Sequence, residues 1–146
     1  TILFPESKDQ VEIIWGDMDK RKNMINITHY AFYDMEEDVL RPESRWKTTY
    51  GINVGTTLSE LNEINGKAFA FMGFGWDYGG MISDLKGGKL EELPLMIQLG
   101  NIDQEELYNN PNYEALLGDM EYTSDMEEAK NLEPVIVLLS ISKEGY

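Results

Sequence analysis

The chain's 146 residues, 42% of them apolar, supply one core but not two, so a single domain spanning 1–146 is expected. Its 27 acids against 12 bases leave a net charge of −15, which repels phosphate backbones and anionic lipid headgroups and argues against a nucleic-acid partner. Cysteine is absent, removing disulfide scaffolds, thiolate metal sites and cysteine nucleophiles; no apolar run is longer than that from Val135 to Leu139, far short of the roughly 20 residues that cross a bilayer as a helix.

In chain order, Val11, Ile13 and Trp15 alternate with Glu12 and Ile14, the pattern of a half-buried strand. A polar turn follows, and Met24 to Thr28 again has β character, which predicts a hairpin; His29, Tyr30, Phe32 and Tyr33 extend its second strand. From Asp34 to Thr49, charges, Pro42 and weak periodicity predict an irregular excursion. Thr57 and Glu60 have the spacing of a capping box, Leu58, Leu61 and Ile64 share one helical face, and Asn65-Gly66 supplies a left-handed stop. This predicts a short helix lying on a sheet.

Beyond it, aromatic residues separated by small ones, with two Gly-Gly pairs, predict a meander over roughly 69–77, 81–86 and 89–93, with Leu95–Leu99 as a further strand. Gly73 and Gly75 mark a bulge or bend, or a place where another backbone or a ligand comes close. Asp103 with Glu106 and Ser124 with Glu127 have cap spacing, Asn110-Pro111 suits a cap and first helical position, and Gly118 suits a stop. The run Val135–Ser142 after Pro134 reads as a central strand covered on both faces. Together these predict an α+β fold, a mostly antiparallel sheet with short helices packed on one side.

Catalytic equipment is sparse. The one histidine, His29, stands in an aromatic stretch without a G-x-S-x-G elbow, and reads as a packed, hydrogen-bonded side chain. Zinc draws on His and Cys, of which the chain offers one and none. The acidic pairs Asp17-x-Asp19 and Asp103-x-Glu105 lack the glycine and terminal glutamate of an EF-hand loop, and Gly73, Gly75 and Gly79 do not match a phosphate-cradling G-x-G-x-x-G. No metal, cofactor or catalytic residue is therefore assigned. Thirteen of the acids lie beyond residue 90, against Lys130 and Lys143, which reads as solvated helix faces or as a surface for a cation or basic partner.

The candidate binding residues are Phe74, Trp76, Asp77 and Tyr78. Aromatic faces stack on sugar C–H groups or anchor a protein, and the adjacent carboxylate can accept hydroxyl or amide protons. The competing expectation is that Phe74, Trp76 and Tyr78 alternate onto one strand face and simply build the core.

The pairing of GINVGTTLSELNEING with GFGWDYGG resembles a family of uncharacterised exported bacterial proteins, many of them lipoproteins. The shorter pattern from Gly55 to Gly66 is similar to the helix entry of small outer-membrane lipoproteins of the SmpA/OmlA type, which pack helices on an antiparallel sheet and bind other proteins. The resemblance implies an extracytoplasmic place, periplasmic or outer-membrane-anchored, with a signal peptide or lipid anchor upstream of Thr1. The expected role is a noncatalytic protein-interaction or structural module of the cell envelope. Its partner would be another envelope protein or, if the domain is a carbohydrate-binding module, a glycan; a carboxylate-dependent hydrolase is the remaining alternative.

Overall fold

Alternation of apolar and polar side chains from Val11 onward yields a strand, and its neighbours take their register from it. In the computed structural model, which describes residues 1–143, β1 (Ile2–Leu3) pairs with β2 (Val11–Asp17), and β2 turns into β3 (Lys22–Tyr30), all antiparallel. Val11 stands opposite His29 and Ile13 opposite Ile27, so one face of the hairpin is apolar.

His29 and Tyr30 extend the strand as expected, but Phe32 and Tyr33 do not. Ala31 donates its N–H to the carbonyl of Val137 at 2.8 Å, and the chain leaves the sheet to form a separate hairpin of β4 (Phe32–Asp34) and β5 (Val39–Arg41). The segment from Asp34 is thus more ordered than its composition predicts, because Asp34 Oδ1 accepts the N–H groups of Glu36 and Glu37 and closes the turn. The chain then crosses the sheet as a strap fastened at one buried carboxylate. Asp9 accepts the Arg45 N–H at 3.0 Å and the Arg45 Nε–H at 2.8 Å, while its carbonyl accepts the indole N–H of Trp46 at 2.8 Å.

Helix α1 (Leu58–Asn65) begins and ends as its sequence dictates. The Thr57 hydroxyl accepts the Glu60 N–H, the Glu60 carboxylate accepts the Thr57 N–H, and Gly66 adopts φ 74°. Leu58 and Leu61 are fully buried, and Ile64 packs partly buried beside them.

The meander is only partly formed. β6 (Ala70–Met72) pairs with β7 (Ile82–Asp84), but residues 73–81 are a loop and residues 89–92 form a 3₁₀ turn rather than a strand. Asn65 explains the turn: its buried amide donates to the carbonyls of Lys67 and Leu85, and its Oδ1 accepts the Leu90 N–H, drawing Leu90 into the core. The next strand, β8 (Leu95–Gly100), leaves the meander and joins the large sheet.

In the C-terminal third, Asn110 caps α2 (Pro111–Ala115), with Pro111 at its first position, and Gly118 follows at φ 102°. Asp103 accepts the N–H groups of Glu105 and Glu106 as its spacing suggests, but only turns follow. β9 (Glu121–Thr123) pairs with β6, completing a three-stranded sheet in the order β7-β6-β9. Ser124 does not cap α3 (Glu127–Leu132); its hydroxyl accepts the Phe69 N–H at 2.9 Å and is fully buried. β10 (Val135–Ser142) then enters between β3 and β8, giving the five-stranded order β1-β2-β3-β10-β8.

The fold is α+β with antiparallel sheets. Its core lies where the two larger sheets and the helices meet, with Phe69, Phe71, Leu58, Leu61, Leu99 and Ile136 fully or almost fully buried. Each such side chain contributes about 1.5–3 kcal/mol relative to exposure.

Replacing Thr57 by Ala removes one half of the capping box and should lower stability by about 1 kcal/mol, read as a lower urea midpoint at unchanged m-value. The Arg45 N–H, then its guanidinium, hold Asp9 below the ordinary carboxylate range against the opposing effect of burial. The stabilisation from Asp9 is therefore present above that range and lost as pH falls through the depressed value. Urea titrations across acid pH should show wild type and Asp9→Asn converging as the carboxylate protonates.

Candidate functional site

Residues 73–80 bring the four candidate residues to one loop but not to one environment. Phe74 is core: it is 5% exposed and stacks on Tyr113 with ring centres 5.7 Å apart. Trp76, Asp77 and Tyr78 point outward, the two rings 39% and 62% exposed. The expectation that all three aromatics share a strand face fails at Gly75, whose φ of 90° ends the extended backbone after Phe74.

The exposed rings sit on a rigid base. Gly73 donates to the carbonyl of Met120 and Phe74 to that of Leu116, while Gly118 donates back to the carbonyl of Phe74, each at 2.8–2.9 Å. Gly79 and Gly80 close the other end, donating to the carbonyls of Trp76 and Met72, and the Gly80 carbonyl accepts the Leu99 N–H at 2.8 Å. The glycine signal is thereby explained: a Cβ on Gly73 would meet the Gly118 carbonyl oxygen at 2.3 Å, and one on Gly80 the Leu99 carbonyl oxygen at 1.9 Å.

Within the loop, the Trp76 indole N–H donates to the Gly73 carbonyl at 2.8 Å, and the Trp76 and Tyr78 rings meet edge to face, 5.4 Å apart at 68°. On the turn that anchors the loop stand two exposed apolar residues not assigned to the site from sequence, Leu117 and Met120, 40% and 62% exposed, the Met120 carbonyl accepting the Gly73 N–H. Leu117 reaches to 3.1 Å of where a Gly75 Cβ would stand, so the apolar surface continues from the loop onto the turn after α2. Their signal was an apolar pair flanking a glycine stop, which by itself reads as core.

His29 is packed and hydrogen-bonded as expected, with Nδ1 2.7 Å from the Gln10 carbonyl oxygen and 5% exposure. Its second nitrogen, Nε2, is buried without a hydrogen-bond partner among the described residues, an arrangement that costs on the order of 1–3 kcal/mol. No group of three or more His, Asp or Glu side chains suited to a metal ion occurs among the described residues, and none of their helices is long and apolar enough to cross a membrane.

No family model, curated protein or solved structure matches the chain.

Gly73→Ala should destabilise the protein by roughly 1–3 kcal/mol, since the neighbours of its Cβ include two backbone carbonyls that cannot swing aside. Thermal melts would register the loss, and the Trp76 emission should shift red as the loop loosens.

Proposed function

We propose that this chain is a noncatalytic recognition domain of the cell envelope that holds a protein partner against Trp76 and Tyr78. The observation that carries this is the exposed aromatic pair on a loop fixed by backbone hydrogen bonds to residues 72, 99, 116 and 120. A preformed loop forfeits little conformational entropy on binding, and Trp and Tyr are the side chains that most often dominate interface energetics. Leu117 widens the apolar surface, and Asp77, between the two aromatics in the sequence and exposed, adds a carboxylate that favours a donor-rich or basic partner, as does the net charge of −15. The envelope location rests on the motif resemblance from Gly51 to Gly80.

A glycan is the second ligand class, favoured by the same rings and by Asp77. Two features weigh toward protein: the edge-to-face rings share no flat platform, and the indole N–H is spent on Gly73.

Capture from envelope extracts, followed by titration of the recovered partner, tests this directly. Trp76→Ala and Tyr78→Ala should each keep the wild-type melting profile, and at least one should weaken binding by about 2 kcal/mol, roughly 30-fold. Undiminished capture by the double variant, or saturable binding on a glycan array in its place, would reject the protein-partner assignment.

A further inference from the structure

The face of the five-stranded sheet that closes the core continues past it. Along β10, Ile136 and Leu139 belong to the core, and Ile141 follows on the same face. Ile141 stands opposite Ile27, which stands opposite Ile13; Leu139 stands opposite His29, which stands opposite Val11. Among the described residues that line this half of the face, those outside the sheet belong to the strap at residues 46–48. What results is an open groove of about 210 Å³, aliphatic along the sheet and walled by Trp46, Lys47 and Thr48.

The ring of His29 is part of this lining. A carbonyl only accepts, so the contact with Gln10 puts the proton on Nδ1, and in the neutral ring Nε2 is left as an acceptor. That acceptor is the buried nitrogen without a partner among the described residues. An apolar groove with one unmet acceptor in its wall suits an apolar molecule bearing one O–H or N–H. A carboxylate is disfavoured twice over: it brings no proton to Nε2, and it meets a chain of net charge −15. Size narrows the choice further, because an apolar cavity of about 150 Å³ accommodates benzene. A groove of about 210 Å³ has room for such a ring with a short tail.

We propose that this groove binds a small neutral amphiphile, an alkylphenol or an alcohol of similar bulk, with its apolar body on Ile13, Ile27 and Ile141 and its hydroxyl donating to His29 Nε2. The groove itself is open, but Nε2 is shielded from solvent, so the hydroxyl reaches it only as the wall shifts, and residues 46–48 are the part of that wall outside the sheet. The strap is tied down beside the groove by Asp9, through Arg45 and the Trp46 indole.

The experiment is a ¹H–¹⁵N titration of the whole chain with 4-ethylphenol and with 4-ethyltoluene, which replaces the hydroxyl by a methyl group. Shifts should cluster on the amides of Ile13, Ile27, His29 and Thr48, and the phenol should bind about tenfold more tightly despite being the less hydrophobic probe. In His29→Phe the preference should vanish, and Ile27→Trp, which fills the groove from a half-exposed position, should abolish both. The wild-type comparison decides even if a variant fails to fold. Equal affinities, shifts mapping elsewhere, no saturation by either probe, or a groove closed by a second copy of the chain in a concentration-dependent dimer would each overturn the proposal.

Discussion

Strand β10 is hydrogen-bonded along both edges, to β3 on one side and β8 on the other, and its side chains face what each neighbour exposes. Thr56 and Gly55 are tied to Ile136 through both its backbone groups, and Leu58 donates to the carbonyl of Pro134, so the entry to α1 is built onto the start of this strand. A bulge between Ile136 and Leu138 turns the Val137 carbonyl toward Ala31, which is where the chain departs for the β4–β5 hairpin. Remove that strand and β1-β2-β3 part from β8. The apolar run after Pro134 is thus the constraint from which both the closed core and the open groove descend.

Legibility in the sequence followed the range of the interaction. Strands β2, β3 and β10 and helix α1 were readable because period-2 alternation, a capping box and a left-handed glycine act over a few residues. Asn65 and Ser124 were not, because each satisfies backbone groups 20 to 55 residues away. Asn65 converts an expected strand into a 3₁₀ turn, and Ser124 abandons a cap for the Phe69 amide. Neither choice leaves a trace in local spacing.

The candidate loop was legible by half. Gly73 and Gly75 announced a bend or a close approach: Gly73 meets another backbone and Gly75 turns the chain, whereas the equally close approach at Gly80 was not read. The separation of buried Phe74 from exposed Trp76 and Tyr78 was hidden, because alternating aromatics look alike whether the strand continues or turns. The groove was harder still. Val11, Ile13 and Trp15 were read as the buried side of one strand, but which residues join them, and whether such a face is covered, depends on where distant segments run. The two surfaces differ in character accordingly: the aromatic loop is fixed before any partner arrives, whereas one groove wall is a strap anchored through Asp9.

The loop that displays Trp76 also occupies the outer edge of β8. Gly80 accepts the Leu99 N–H, Met81 bridges to Gln98, and the Gln98 side chain donates to the Gly79 carbonyl. Without it, the edge of LMIQLG would present unpaired amides on an uncharged, β-prone stretch, the kind of template on which fibrils grow. The same few glycines that hold the aromatic pair outward therefore act as a gatekeeper against aggregation.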